Sequence, residues 1–244
     1  MAQAVTQMVT FPSEGRQLAA FLALPTASSE QREEGKGPYP GVVVIHEIYG
    51  LNDNIKDIAM RLAAEGYAAL AVDLFSAGNR TVCMFRLMSG FILNSLNHRG
   101  VRDLRHALDF LAQQPAVDGQ RLGAIGFCMG GSLAIAWACT DSRLRAIAPF
   151  YGMNPRPLEA VRRACPVVGS YPEQDFTAAA GRKLDEVLDR YQIPHDIKIY
   201  PGARHSFFND RGSNYHPVAA QDSWQRVLSF FREHVLAPRS QALQ

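Results

Sequence analysis

The chain has 244 residues, 47% of them hydrophobic, enough for one α/β domain with a sizeable core. Its 25 basic and 23 acidic residues leave a net charge of +2, and no basic run exceeds a pair, so neither a nucleic-acid nor a membrane partner is expected. The opening MAQAVTQMVTF lacks the pattern of a secretory signal, and no apolar run approaches a membrane span, which makes the cytoplasm the expected location.

Residues 8–24 read as two short strands around a Ser-Glu-Gly turn, an antiparallel edge hairpin, followed by a polar connection over 25–40. GVVVIHE (41–47) is a continuous β-branched run, as expected of a strand buried on both faces; Ile55, Ile58, Ala59, Leu62 and Ala63 then keep helical spacing up to Gly66. YAALAVDLF (67–75) is the next strand, Val101, Leu104, Leu108 and Leu111 mark a helix, and RLGAIGF (121–127) is a buried strand leading into a helix over about 130–139. Strands follow at 144–152, 165–171 and 195–203, with helices near 178–191 and 217–235. This alternation predicts a single α/β domain: a mostly parallel sheet of about eight strands, helices on both faces, and terminal extensions at about 1–7 and 237–244. Two stretches, 76–98 and 204–216, are too long for simple links and are expected to form pocket walls or lids.

The cysteines at 83, 128, 139 and 165 show no zinc spacing, and HE at 46–47 is not a zinc motif because Gly50 stands where the second histidine belongs. Neither a dinucleotide nor a phosphate-binding glycine loop occurs, so no metal and no cofactor is expected. GFCMGG (126–131), between a strand and a helix, has the form of a nucleophile elbow with Cys128 at its centre; small neighbours are needed there because the central residue is strained. At a helix N-terminus the thiol is expected to lean towards thiolate. Such an elbow requires an acid and then a histidine on later strand ends. PEQD offers Glu173 and Asp175, between which spacing does not choose, and GARHSF supplies His205 as base. The oxyanion donors are expected to be the main-chain N–H groups of Met129 and of a residue near Ile48.

The series HEIYGLN, VDLF, GFCMGG, YPEQD, GARHSF resembles the dienelactone hydrolase (carboxymethylenebutenolidase) family of the α/β-hydrolase fold, over about residues 15–235. The resemblance implies a Cys128–His205–Asp175 triad, an oxyanion hole at Ile48 and Met129, and Glu47 as the acid that holds the resting thiol and accepts its proton when substrate displaces it. It also implies hydrolysis of a carboxylic ester or lactone through an acyl-thioester. The chain departs from dienelactone-cleaving members, which hold the substrate carboxylate with two arginines. Asn209 stands at one of those places, and Arg80 and Arg86 are candidates for the other. Phe85, Leu87, Met88, Phe91, Ile92 and Leu93 suggest either a pocket for a bulkier, less acidic substrate or a short helix packed onto the domain, and Ser206 and Phe207 flank the base as further substrate-binding candidates. The expected partner is a small ester or lactone, and the expected assembly a monomer or homodimer. The alternatives are a covalent binder without turnover and a thiol redox protein, the latter disfavoured because Cys139 lies three helical turns from Cys128.

Overall fold

The computed structural model describes residues 4–26 and 38–236. Eight strands form one sheet: β1 (Val5–Ser13), β2 (Arg16–Leu24), β3 (Tyr39–Ile45), β4 (Ala68–Asp73), β5 (Val117–Phe127), β6 (Leu144–Phe150), β7 (Val167–Gln174) and β8 (His195–Arg204). Their order is β1-β2-β4-β3-β5-β6-β7-β8. The β1–β2 and β2–β4 pairs are antiparallel and the rest parallel, giving the α/β-hydrolase arrangement with its N-terminal hairpin. The hairpin begins at Val5, three residues before the apolar alternation suggests, and the extension at 237–244 lies outside the described residues.

In β3, Val43 and Ile45 join the core on one face of the sheet while Val42 and Val44 join the core on the other. A strand wedged between two cores has no polar face, which is why its sequence is unbroken β-branched residues. Helices α1 (Asp53–Ala64) and α6 (Pro217–Phe231) cover the second face through Ile55, Ile58, Leu62, Trp224, Val227 and Phe231. Helices α3 (Arg99–Ala112), α4 (Met129–Ala138) and α5 (Ala178–Arg190) cover the first through Leu104, Leu108, Leu133, Ile135, Leu184 and Leu188.

The stretch 76–98 packs onto the domain as a helix. Most of it is helix α2 (Arg80–Asn94), capped by the Asn79 side chain, which accepts from the Val82 N–H at 3.2 Å. Cys83, Leu87 and Phe91, spaced by four, pack this helix onto the first core. The side chains of Met88, Ile92 and Leu93 lie outside the described ones.

Parallel register places the site. Ile45 pairs with Gly126, so Ile48 and Met129, each three residues further on, leave the sheet side by side. Phe127 pairs with Phe150, bringing Cys128 beside Tyr151, and Gln174 pairs with Arg204, bringing Asp175 beside His205. All of these emerge at the carboxyl ends of the parallel strands, where crevices form in such sheets.

Candidate active site

Cys128 has φ 55° and ψ −115°, a conformation that side-chain-bearing residues rarely adopt. The turn survives because its neighbours lack side chains. A Cβ on Gly126 would stand 2.1 Å from the Gly130 carbonyl oxygen, and one on Gly130 would stand 2.4 Å from the Ile45 carbonyl oxygen. Those contacts are with backbone, which cannot swing away. The Cys128 N–H donates to the Phe150 carbonyl at 3.0 Å, and its own carbonyl accepts from the Ser132 N–H at 3.1 Å, pinning the elbow to β6 and α4.

The main-chain N–H groups of Met129 and Ile48 both face the Cys128 sulfur. They favour thiolate, but burial and then the Glu47 carboxylate act the other way and prevail, pushing the thiol pKa up to about 11. The helix N-terminus therefore does not yield a resting thiolate, contrary to the expectation from position alone.

Glu47 is almost fully buried. One carboxylate oxygen accepts from the Ser206 hydroxyl at 2.7 Å; among the described residues the other has no hydrogen-bond partner. Its backbone is fixed by the preceding residue. The buried His46 ring accepts the Leu74 N–H at Nε2 (3.1 Å), which leaves the proton on Nδ1 to donate to the Glu47 carbonyl (2.5 Å). Burial holds the His46 pKa low, consistent with that neutral, structural role.

His205 Nδ1 lies 2.7 Å from Asp175 Oδ2, which also accepts from the Thr177 hydroxyl at 2.5 Å. A proton on Nδ1, shared with the carboxylate, leaves Nε2 as a base. Of the two acids that spacing left open, Glu173 is exposed and accepts from the Gly202 N–H, so Asp175 is the one that meets the histidine. Phe176 stacks on the imidazole at 5.5 Å between ring centroids, and Tyr151 packs at 4.9 Å.

Cys128 and His205 line one cavity of about 250 Å³, with Ile48, Leu87, Phe91, Met129, Tyr151, Met153, Arg156 and Phe176 among its walls. Several sequence-level candidates are elsewhere. Arg80 donates to the Tyr49 carbonyl and faces the Phe75 ring, Arg86 is exposed, and neither lines the cavity. Phe85 is 73% exposed, Phe207 is sealed in an aromatic cluster with Phe150 and Tyr200, and Asn209 accepts from the Arg211 N–H in a turn. Ser206 does not line the cavity; its hydroxyl sits behind it, against Glu47 and Tyr151. Sequence reasoning missed Met153, Asn154 and Arg156; their signal was position, directly after strand β6 on the edge where the elbow opens.

A model of the dienelactone hydrolase family matches residues 20–235. The chain belongs to the dienelactone hydrolase family. A Saccharolobus solfataricus relative with the provisional name carboxymethylenebutenolidase is 36% identical, over 92% of this chain and 97% of its own length. An Escherichia coli K12 relative, also provisionally so named, is 31% identical over 94% of this chain and 88% of its own. The solved structure of a dienelactone hydrolase-like promiscuous phosphotriesterase from metagenomic libraries superposes with a TM-score of 0.82 at 27% identity, covering 95% of this chain and 99% of that one. The chain is thus a dienelactone hydrolase-like hydrolase. Among the described residues no helix is long and apolar enough to cross a membrane.

Proposed function

We propose that the protein is a cysteine-dependent hydrolase of small carboxylic esters or lactones. The observation that carries this reading is the strained Cys128, whose sulfur faces two main-chain N–H groups in a cavity shared with an Asp175-bound His205. The substrate carbonyl oxygen displaces the sulfur from between the N–H groups of Ile48 and Met129, and the thiol proton passes to Glu47. Cys128 Sγ attacks the carbonyl carbon, and the two N–H groups stabilise the resulting oxyanion. Collapse breaks the ester C–O bond; the leaving oxygen takes up the proton given up by the thiol, and an acyl-thioester remains. Water then attacks the thioester while His205 Nε2 takes its proton. The C–S bond breaks, the sulfur regains that proton, and the carboxylic acid leaves.

The test is steady-state hydrolysis of a small 4-nitrophenyl ester together with mass spectrometry of the protein. Cys128→Ala is expected to abolish turnover, and His205→Gln to accumulate the acyl adduct on Cys128. Undiminished turnover by Cys128→Ala would end the proposal.

A further inference from the structure

The histidine of the candidate site is carried by a connection and not by a regular element. His205 follows β8 directly, and Ser206 after it has φ 62°, a left-handed conformation that persists only where the surroundings hold it. Hydrogen bonds draw the connection into shape: the Asn209 N–H donates to the Ser206 carbonyl, the His216 N–H to the Phe207 carbonyl and the Asn214 amide to the His205 carbonyl, each at 3.0 Å. All of these lie within the loop, so they do not fix it on the domain.

Two consecutive buried rings do that. Phe207 packs on Phe150 and Tyr200. Phe208 stacks on Phe127 with 5.4 Å between centroids and meets Phe150 at 4.9 Å. Phe127 immediately precedes Cys128, so this ring pair joins the chain at the nucleophile to the chain at the base. Helices α6 and α1 also reach Phe208. Trp224 lies 6.0 Å from it, and the Arg61 guanidinium carbon stands 5.3 Å from the Phe208 centroid and 4.2 Å from that of Trp224. Among the described residues this half-buried guanidinium makes no hydrogen bond and no ion pair within 4.0 Å; its close partners are the two rings, while Asp57 and Asp210 favour its charge from further away. A cation held against buried rings gains more from their faces than one at an open surface. A second tie between loop and α1, from Arg211 to Asp53 at 3.4 Å, joins two exposed side chains and contributes little.

Resting on the hydrolase reading above, we infer that Arg61 is a positioning residue for the second half of the reaction: it holds Phe208 against Phe127 and so keeps His205 where Nε2 can activate the water that attacks the thioester. Formation of the thioester depends on Cys128, Glu47 and the N–H groups of Ile48 and Met129, none of which lies on this loop. Loss of the Arg61 charge therefore slows hydrolysis of the acyl-thioester and spares its formation.

Two measurements test this and separate it from the hydrolase reading. The first follows each half-reaction with 4-nitrophenyl acetate: first-turnover release of 4-nitrophenolate for formation of the thioester, and loss of the acetyl mass from Cys128 for its hydrolysis. Arg61→Met keeps an aliphatic side chain on the rings without the charge; it is expected to slow loss of the acetyl mass about tenfold and to change first-turnover release by less than about twofold, so that kcat falls while kcat/KM holds. Arg61→Lys, which keeps a cation over the rings, is expected to recover part of the loss. The second measurement needs no turnover: backbone hydrogen exchange over 206–216 is expected to be about tenfold faster in Arg61→Met, with exchange over 117–127 unchanged. Ester turnover with deacylation and loop exchange both untouched by Arg61→Met overturns the role of Arg61 and leaves the hydrolase reading intact. A slowing shared equally by both half-reactions, or Arg61→Lys no better than Arg61→Met, overturns it as well. Arg61-dependent loop exchange in a protein that turns over no ester supports the holding of the loop and overturns the hydrolase reading instead.

Discussion

At Cys128 two general expectations about a thiol conflict. A helix N-terminus and two facing N–H groups favour the anion, while burial and a neighbouring carboxylate favour the neutral form; the second pair wins, and the pKa rises to about 11. The resting protein thus holds Cys128 as a neutral thiol, and in the proposed reading Glu47 has two opposed effects on it. Its charge suppresses the thiolate in the free protein, yet in the proposed reaction it accepts the thiol proton when substrate arrives. Glu47→Gln keeps the shape and a hydrogen-bonding partner for Ser206 but removes the charge, so it pulls these effects apart. Iodoacetamide should alkylate Cys128 of this variant about three- to tenfold faster at pH 8, because the loss of a nearby negative charge lowers the thiol pKa. Ester turnover should fall. If alkylation and turnover move in the same direction, Glu47 does not play both parts. The burial of Glu47 was not legible in the sequence, where a carboxylate at a strand end reads by spacing as a surface group; only the resemblance to the family pointed to it.

Among the elements, the elbow was readable because its chemistry is local: glycines at 126, 130 and 131 around one cysteine admit few other meanings. Helix α2 was not. Its apolar residues lie on several sides, with Val82 and Phe85 exposed while Cys83 and Leu87 are buried, so no clean helical face shows in the sequence. The i, i+4 stripe of Cys83, Leu87 and Phe91 and the Asn79 cap become recognisable only when the core it packs on is known. The elbow's local determinism also makes it brittle. Gly130→Ala would place a methyl group 2.4 Å from the Ile45 carbonyl oxygen and 2.8 Å from that of His46, prising α4 from the end of β3. Since β3 delivers Ile48 and α4 delivers Met129, that displacement separates the two N–H groups. Gly130→Ala is therefore expected to cost about 2 kcal/mol of stability, seen as a lower urea midpoint at unchanged slope, and to reduce turnover more than tenfold at temperatures where it remains folded. A variant with the natural midpoint and full activity would show that the backbone at this crossing yields.

Across the whole molecule, the alternation of strand and helix patterns made a parallel sheet legible, but the exchange of β3 and β4 in the strand order was not, because local periodicity carries no information on which strands become neighbours. The cavity lining from residues 151–156 was hidden for the same reason: it depends on β6 lying beside β5. Burial on both faces of this sheet has a consequence for stability against pH. It raises the Cys128 pKa to about 11 and those of Cys139, Tyr67 and Tyr200 to about 12. In an unfolded chain thiols titrate near 8.5 and phenols near 10, so above those values the unfolded chain has released protons that the folded one still holds. Stability contributed by these groups is complete below pH of about 8.5, declines as the unfolded-state thiols and then phenols ionise, and is lost once pH passes the folded values. The urea midpoint is accordingly expected to be level from pH 7 to 8 and to fall steadily from pH 9 to 11, with a loss of stability on the order of 7 kcal/mol in total. Cys139→Ala, which removes one raised group remote from the cavity, should flatten that fall relative to its own value at pH 8, whereas a slope identical to that of the natural protein would mean that Cys139 titrates alike in both states.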